Sequence, residues 1–261
     1  MPATPAWPPR SAPRLFVTRT LALDTELALD GNQAHYLLRV MRIKTGDIVI
    51  LCDNITGEWA SRVVSAGKRD IRVAVIEHLR LRETVPDFTL CPALLKKDRF
   101  DLVLEKATEL GAARIQPVLT RRCVVDRLNP DRARTIVTEA AEQCARTALP
   151  EVMEPVKLDM LLRQWESERT LLFADEMVDS GGADEAVTTR FAASLPPAGL
   201  LVGPEGGFDD AERAAIRAHA CAHPVSLGPR ILRAETAAIA AMAVWMAQAG
   251  DWADRLNQKP A

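Results

Sequence analysis

Hydrophobic residues in positions 14–82 occur in short runs of valine, isoleucine and leucine that are separated by glycines. Runs of this composition, bounded by glycine, are typical of β-strands. One stretch, residues 32–41, differs because its leucines and a methionine recur at helical spacing. The pattern predicts a small β-barrel interrupted by one helix. The predicted strands include residues 15–17, 47–51 and 71–76.

After Pro86 the pattern changes, and apolar strands alternate with amphipathic helices. Such alternation predicts an α/β domain with a mostly parallel sheet covered by helices. The predicted strands are 88–95, 114–119, 170–173, 199–202 and 224–227. The predicted helices run from a cap at Asp98 to Gly111, from Pro130 after Asn129 through Arg146, from Asp209 to about Ala220, and from Glu235 to Ala249.

The last predicted helix, residues 235–249, is apolar on almost every side. It is too short and too rich in alanine to span a bilayer, so we expect it to be buried in protein. One face of a sheet cannot cover its whole circumference. This favours a partner subunit against the helix, with burial inside a single chain as the alternative.

Charge is distributed unevenly, although the formal net charge is only −2. Residues 1–82 hold 12 Lys and Arg against 8 Asp and Glu, whereas the rest of the chain holds 21 against 27. A basic front part suggests that it holds a polyanion. Random drift of surface charge explains the difference equally well.

The five cysteines are scattered and form no C-x-x-C pair, which argues against a disulfide framework and favours a reducing cytoplasm. Residues 1–13 hold five prolines where a signal peptide needs an apolar region, so we expect a disordered tail there. A second tail is expected at 251–261. The histidines and cysteine at 219–223 lack a fourth ligand at zinc spacing, so no metal is expected.

Two loops each follow a predicted strand and precede a predicted helix, where α/β proteins bind ligands. The first, 203–207, reads Gly-Pro-Glu-Gly-Gly, and its glycines allow backbone amides to approach a ligand, although a plain tight turn explains it as well. It is neither a phosphate loop nor a dinucleotide loop. The second, 227–236, puts Arg230, Arg233 and Glu235 at the start of the last helix, where backbone N–H groups favour anions.

Together these loops closely resemble the two hallmark loops of the RsmE family, the small-subunit ribosomal RNA uracil N3-methyltransferases. The resemblance covers roughly residues 14 to 250. Ala145 departs from it, because glycine is expected there, and the proline-rich leader is longer than is usual in the family. Further segments that match in order are 35–42, 106–111, 122–123 and 142–146.

The resemblance implies a PUA-like RNA-binding β-barrel at 14–82, followed at 86–250 by a SPOUT α/β domain whose chain forms a deep C-terminal trefoil knot. It implies S-adenosylmethionine (SAM) as the methyl donor and N3 of a uridine in 16S ribosomal RNA as the acceptor. The substrate is either naked 16S ribosomal RNA or the assembled small ribosomal subunit. It also implies a homodimer, with no membrane and no metal partner.

The expected site residues fall into three groups. Cofactor binding is expected of Phe173, Gly203, Pro204, Glu205, Gly206, Gly207, Leu227, Gly228, Pro229 and Leu232. RNA binding is expected of His35, Arg39, Arg42, Lys44, Gln143, Arg146 and Arg230. Catalytic roles are expected of Arg122, Arg233 and Glu235.

The chemistry limits what each catalytic candidate can do. SAM is already activated as a sulfonium, so the protein must align the reactants and remove the uracil N3 proton. Arginine cannot be the base, so Arg122 and Arg233 are candidates for phosphate binding or for stabilising charge on the uracil oxygens. Glu235 is a candidate base if burial raises its pKa, and its alternative role is to stabilise the helix dipole or pair with Arg233.

Alternatives also stay open for the RNA-binding residues and for the reaction. Gln143 and Arg146 are expected on one side of a helix, facing RNA or the dimer groove, and a solvated helix face is the alternative. His35 could equally be a structural histidine. Two other functions fit the sequence: a SPOUT enzyme that acts on transfer RNA or a ribose 2′-hydroxyl, and a ribosome assembly factor whose methylation is incidental.

Overall fold

The computed structural model describes residues 7–9, 11–175 and 191–252. These residues divide into two compact units. The first unit comprises the described residues up to Thr84 together with Ala141–Leu149. The second comprises Val85–Ala140 and the described residues from Pro150 onwards. Nothing in the sequence pattern predicts that 141–149 belongs to the first unit, because its membership depends on tertiary packing.

The two expected tails are described only in part, because residues 1–6, 10 and 253–261 lie outside the described residues. Within the described part of the leader, the Trp7 indole donates to Glu77 Oε2 at 2.6 Å. The Ile50 N–H donates to the carbonyl of Pro13 at 2.8 Å, and Pro13 is buried. Packing therefore reaches back into the leader, which corrects the expectation of disorder for its last residues.

The first unit is built on a five-stranded sheet in the order β1-β3-β4-β5-β2. β1 runs parallel to β3, and the other neighbours are antiparallel. Its core includes Leu27, Val49, Leu51, Val63 and Val73. The three predicted strands are confirmed in position as β1, β3 and β5. The strands are β1 (Arg14–Phe16), β2 (Glu26–Leu29), β3 (Ile48–Cys52), β4 (Glu58–Ala66) and β5 (Ile71–Arg80).

The helix predicted at 32–41 is two elements. Helix α1 (Gly31–His35) continues into a π-helical turn (Tyr36–Val40), in which the Met41 N–H donates to the Tyr36 carbonyl at 3.0 Å. π-Helical turns inserted in helices are frequent at functional sites. This one buries Leu37 and leaves basic side chains exposed around it.

Two carboxylates of the first unit are held by donors. Burial raises the pKa of Glu58, but hydrogen bonds and charge from Arg80 and Arg14 outweigh it and leave the pKa below its ordinary value. Burial likewise raises the pKa of Asp53, and hydrogen bonds from Leu21 N–H at 2.8 Å and from Thr56 outweigh it. Both groups therefore favour the folded state when they are ionised.

We expect the protein to lose stability in acid because of these two groups. A carboxylate whose pKa is depressed by folding contributes stability above its unfolded pKa, about 4 for Asp and Glu, and loses it as pH falls through the lower folded pKa. The free energy of unfolding, measured in urea, should thus fall steadily below about pH 4. In Asp53→Asn this fall should be shallower, and an equally steep fall would exclude Asp53 as a cause.

The second unit contains a six-stranded sheet in the order β13-β11-β12-β6-β7-β9, in which every pairing is parallel. The predicted α/β class with a parallel sheet is confirmed. The strand predicted at 114–119 is interrupted at Pro117, and its second part pairs in a separate two-stranded sheet. The strands are β6 (Phe88–Pro92), β7 (Arg114–Ile115), β8 (Val118–Leu119), β9 (Glu151–Val152), β10 (Val156–Lys157), β11 (Thr170–Ala174), β12 (Ala198–Val202) and β13 (Ala222–Val225).

The principal helices begin and end largely where local chemistry predicts. Asn129 Oδ1 accepts from Arg132 N–H at 3.0 Å, Asp209 forms a capping box with Glu212, and Gly111 ends its helix at φ 100°. None of the described helices combines the length and apolar character needed to cross a membrane. The helices are α2 (Lys97–Leu110), α3 (Pro130–Cys144), α4 (Leu158–Gln164), α5 (Asp210–Ala218) and α6 (Ala234–Gln248).

The prediction that Asp98 caps α2 is wrong. The N-cap residue is Lys96, whose carbonyl accepts from the N–H groups of Arg99 and Phe100 at 3.0 Å each. Asp98 lies in the first turn instead, where a negative charge still favours the helix dipole.

The prediction that α3 continues through Arg146 is also wrong, because the helix ends at Cys144. Ala145 follows with φ 62°, in the left-handed region that costs an L-residue about 1–2 kcal/mol. This is the position at which the family resemblance leads one to expect glycine. The strained alanine directs Arg146 away from the helix.

We expect Ala145→Gly to raise the free energy of unfolding by about 0.5–1 kcal/mol. Glycine removes the left-handed strain and gives back part of that gain as backbone entropy. Chemical denaturation measures the change. As a control, Ala141→Gly within α3, the helix that ends just before Ala145, should lower the free energy of unfolding by about 1 kcal/mol, because Ala141 has helical geometry. A destabilised Ala145→Gly variant would show that strain at this residue is negligible.

Helix α6 packs into the main core of the second unit, as its apolar sequence predicts. Met242, Trp245 and Met246 are fully buried. The Trp245 ring lies 4.2 Å from Phe88, centroid to centroid, and its indole N–H donates to the Ser194 carbonyl at 2.8 Å. This packing fixes the start of α6 beside the carboxyl ends of the strands.

Candidate functional site

A pocket of about 260 Å³ lies at the carboxyl edge of the parallel sheet. The adjacent strands β11, β12 and β13 end beside it at Ala174, Val202 and Val225, and all three residues line it. In open α/β sheets this edge is where ligands bind. The volume is close to the lower limit, about 300 Å³, that is typical of small-molecule sites.

The loop that follows β12, residues 203–208, forms one wall. Four of the residues expected to bind the cofactor, Gly203, Pro204, Glu205 and Gly207, line the pocket. Gly207 has φ 66°, and its N–H donates to the Pro204 carbonyl at 2.9 Å, so a glycine closes the turn. A Cβ at Gly203 would lie 3.2 Å from the Phe208 ring, which leaves little room for a side chain.

Arg122 braces this loop from outside. Its Nη1 donates to the carbonyl of Gly206 at 2.6 Å, and a Cβ at Gly206 would meet the Arg122 side chain at 3.4 Å. Neither Gly206 nor Arg122 lines the pocket. Arg122 thus stabilises the backbone of this loop through a hydrogen bond, whereas its catalytic role stays a prediction.

The loop that follows β13, residues 226–233, forms the facing wall. Four more residues expected to bind the cofactor line the pocket here, together with Ser226, Arg230 and Ile231. They are Leu227, Gly228, Pro229 and Leu232. Gly228 has φ 100°, a conformation that L-residues rarely adopt. Ile231 is 85% exposed, so the loop presents an apolar side chain as well as Arg230 to solvent.

The end of β11 forms the third wall of the pocket, but Phe173, the residue expected to bind the cofactor there, is not part of it. Phe173 is fully buried, packs in a separate core cluster with Leu171 and Leu201, and does not line the pocket. Because side chains alternate along a strand, Phe173 and Ala174 face opposite sides of the sheet. The lining residues at the end of β11 are Ala174 and Asp175, which corrects the expectation for Phe173.

Asp175 carries a buried negative charge at the pocket wall, which sequence reasoning missed. Its side chain is 1% exposed, and it pairs with Arg217 at 2.6 Å and with Arg213 Nε at 3.3 Å. Arg213 also lines the pocket. Both arginines come from α5, about forty positions along the chain from Asp175, so no local pattern predicts the cluster.

Arg99 was also missed, and it contacts both sides of the site. Its Nη1 donates to Glu205 Oε1 at 3.2 Å, and its Nε lies 3.9 Å from Glu235 Oε1. Arg99 belongs to the first turn of α2, which follows β6, the neighbour of β12 in the sheet. Only the order of the strands brings it to the site.

Arg233 and Glu235 lie two positions apart in sequence but in different environments. Arg233 is the exposed N-cap residue of α6, and no described side chain forms an ion pair or hydrogen bond with it. Glu235 is buried, with its side chain 10% exposed, and does not line the pocket. Its Oε2 has no hydrogen-bond partner among the described residues. This geometry offers no support for Glu235 as a base.

The predicted RNA-binding residues of the first unit fall into an exposed set and one buried residue. His35, Arg39, Arg42, Lys44 and Gln143 are exposed. Arg146 is 5% exposed, and its Nε lies 3.0 Å from Glu83 Oε1. A buried, ion-paired guanidinium has little surface for a phosphate, so the expectation that Arg146 faces RNA is corrected to a structural ion pair. Arg230 is exposed beside the pocket of the second unit.

The described residues contain no cluster of three or more potential metal ligands. His219 Nε2 lies 3.0 Å from the Leu162 carbonyl, and its Nδ1 accepts from the Cys221 N–H at 3.3 Å. These hydrogen bonds indicate a structural role for His219 at the end of α5.

Two families match this chain. Residues 82–246 match the RNA methyltransferase domain, and residues 29–76 match the RNA methyltransferase PUA domain. The first match covers more than half of the chain and contains every residue that lines the pocket.

Individual relatives match over nearly the whole chain. The ribosomal RNA small subunit methyltransferase E of Rickettsia conorii is 31% identical over 88% of this chain and 93% of its own length. The crystal structure of the methyltransferase of the same name from Neisseria gonorrhoeae, bound to SAM, is 28% identical, covers 92% of this chain and 99% of that one, and superposes with a TM-score of 0.81. A Legionella pneumophila protein with bound SAM is 29% identical over the same shares of the two chains, with a TM-score of 0.79.

These matches extend through both units and through the loops that form the pocket. This chain belongs to the family of RNA methyltransferases that includes the ribosomal RNA small subunit methyltransferases E.

Proposed function

We propose that this protein transfers a methyl group from SAM to N3 of a uridine in 16S ribosomal RNA. The observation that carries the proposal is the pocket between the 203–208 and 226–233 loops, at the carboxyl edge of the sheet. It occurs in a chain whose similar structures from Neisseria gonorrhoeae and Legionella pneumophila were solved with bound SAM. The N3 position follows from the resemblance of the two loops to those of the RsmE family.

The residues of the pocket fit this cofactor. Apolar side chains, among them Val202, Leu227 and Leu232, suit a flat aromatic base. The glycines expose backbone N–H and carbonyl groups that can recognise polar edges. Arg213 brings a positive charge to the wall, which suits the carboxylate of an amino-acid moiety. When bound, SAM supplies an activated methyl group on a sulfonium.

The protein's own contribution is alignment and charge stabilisation. The 203–208 loop, braced by Arg122, and the 226–233 loop hold the donor in one orientation. Arg233, exposed at the start of α6, is suited to stabilise the negative charge that develops on the uracil oxygens as the N3 proton leaves. Glu235 acts in this scheme through Arg99 and not as the base, because its carboxylate is shielded from the pocket.

Binding of the RNA is assigned to exposed basic groups. In the first unit His35 ends α1, Arg39 lies in the π-helical turn, and Arg42 and Lys44 follow that turn. Gln143 lies in the last turn of α3. Arg230 serves the second unit. Phosphate contacts of this kind position an RNA without reading its sequence, so affinity should fall steeply as salt rises. With a ribosomal substrate, the proposal includes a cytoplasmic location for the protein.

Two finer features of the fold belong to the same proposal: a C-terminal trefoil knot and a homodimer. The dimer is supported by the outer side of α6, where small or apolar residues that are exposed or partly exposed repeat at helical spacing. A second copy of the chain would cover this stripe. Its residues are Thr236, Ile239, Ala240, Ala243 and Ala247.

The proposal is tested with small ribosomal subunits from a strain that lacks this protein. Incubation with labelled SAM and purified protein should yield labelled 3-methyluridine after digestion and mass spectrometry. Label in another nucleoside would replace the target by a different base or a ribose hydroxyl. If the protein binds SAM but no nucleoside is labelled, a role in ribosome assembly without methylation replaces the reaction.

A further inference from the structure

The ion pairs of Arg99 join the two loops that form the pocket. Glu205 belongs to the 203–208 loop and lines the pocket, whereas Glu235 lies at the start of α6, directly after the 226–233 loop. Arg99 contacts Glu205 Oε1 at 3.2 Å and Glu235 Oε1 at 3.9 Å. One guanidinium therefore links loops that are separated by a strand and a helix in sequence.

The charges require a cation at this place. The side chain of Glu235 is nine-tenths buried. Among the described residues, Arg99 is the cation that lies within 4 Å of its carboxylate. Its second oxygen is buried without a hydrogen bond among the described residues. A buried carboxylate is costly unless it is paired, and two carboxylates facing each other without a cation repel. Without Arg99, Glu235 would lose the cation that pairs with its buried carboxylate, and Glu205 would lose the contact that ties its loop to α2.

Arg99 itself is held firmly. It occupies the first turn of α2, its backbone N–H donates to the Lys96 carbonyl at 3.0 Å, and its neighbour Phe100 is 2% exposed in the main core. Its side chain is 35% exposed, so it reaches both glutamates from a rigid base without being buried itself. A fixed guanidinium with several donors can serve two acceptors at once, which a lysine does less well.

We propose that Arg99 is a positioning residue that couples the two pocket loops, and that this coupling sets the affinity for the cofactor. The part that concerns SAM rests on the proposed function, whereas the coupling of the loops does not. Arg99 holds Glu205 and Glu235 together, and the pocket walls keep their spacing before any ligand arrives. A preformed pocket binds more tightly because less order has to be created on binding.

Hydrogen exchange of the ligand-free protein tests the coupling without reference to any reaction. In Arg99→Met, amides of both segments, 203–208 and 226–233, should exchange at least about threefold faster, because the two loops lose their common anchor. The matched control is Arg132→Met. Arg132 lies on α3 outside the pocket lining, and its Nε donates at 3.0 Å to Asp101, a residue of α2 like Arg99. It should leave both segments unchanged. Unaltered exchange in Arg99→Met overturns the proposal.

Calorimetric titration with SAM tests the consequence for binding. The dissociation constant should rise about tenfold in Arg99→Met and stay within about twofold in Arg132→Met. Arg99→Lys keeps the charge but serves two acceptors less well, so it should recover part of the affinity. A role that depended on side-chain packing alone would give no such recovery. In Arg99→Met/Glu205→Gln the loss should be smaller than the product of the single losses, because the two groups act as a pair.

The outcomes separate the inference from the proposed function. If wild-type protein fails to bind SAM, the proposed function is wrong, and the exchange experiment still decides whether Arg99 couples the loops. If wild type binds SAM and Arg99→Met binds it equally well, Arg99 is not a positioning residue for the cofactor.

Discussion

Arg233→Ala should lower the turnover of methyl transfer to small ribosomal subunits at least about 100-fold, which is the usual effect of removing one group that stabilises a developing oxyanion. Arg233 caps α6, is exposed, and does not line the pocket. Affinity for SAM should therefore stay within about twofold of wild type. The loss should appear in single-turnover rates at saturating SAM.

Two variants make this result interpretable. Arg233→Lys keeps a positive charge but lacks the planar guanidinium with its several N–H donors, and should recover only part of the rate. Arg134→Ala removes an equally exposed arginine that pairs with Asp131 on α3, and should leave the rate unchanged. A normal single-turnover rate in Arg233→Ala would assign the stabilisation of the uracil oxygens to another group.

Trp245→Ala should destabilise the protein by about 3–5 kcal/mol, the usual cost of deleting a large aromatic side chain from a core. Trp245 is fully buried, stacks on Phe88, and satisfies the Ser194 carbonyl with its indole N–H. Since α6 carries Glu235, the partner of Arg99, this variant should also weaken SAM binding. Denaturant titration measures the first effect and calorimetry the second.

Trp252 provides the comparison for Trp245. It lies just after α6 and is 39% exposed, so Trp252→Ala should change the free energy of unfolding by less than about 0.5 kcal/mol. Trp245→Phe keeps most of the ring but loses the hydrogen bond to Ser194, and should cost about 1–3 kcal/mol. A Trp245→Ala protein as stable as wild type would mean that the core beside α6 closes around the cavity.

Local chemistry predicted the parts of this fold that depend on few residues. Asn129 and Asp209 have side chains that accept from N–H groups of their own helices, and Gly111 is suited to a left-handed exit, so three helix ends could be located from sequence. Strand β4 could not, because Ser61 and Arg62 break its apolar pattern and its pairing with β5 is irregular at three points.

In the candidate site, too, the features that depend on local sequence could be predicted, and those that depend on distant residues could not. Both glycine-rich loops were found because each follows a strand, and parallel strands end on one edge of the sheet. Asp175 and Arg99 were missed because their partners are distant in sequence and only the strand order brings them together. Arg146 was misassigned because a left-handed Ala145 ends the helix that was expected to carry it.

The chain passes from the first unit to the second, returns for residues 141–149, and leaves again. The returning segment is bonded into the first unit: Glu142 accepts from the Phe16 N–H at 2.8 Å, Thr147 Oγ1 from the Glu83 N–H at 2.7 Å, and Asn54 Oδ1 from the Leu149 N–H at 2.8 Å. A fragment ending at Thr84 lacks these partners. The N-terminal unit is therefore not a transplantable module, and its exchange between proteins by recombination at a single junction would leave a hole where the returning segment belongs.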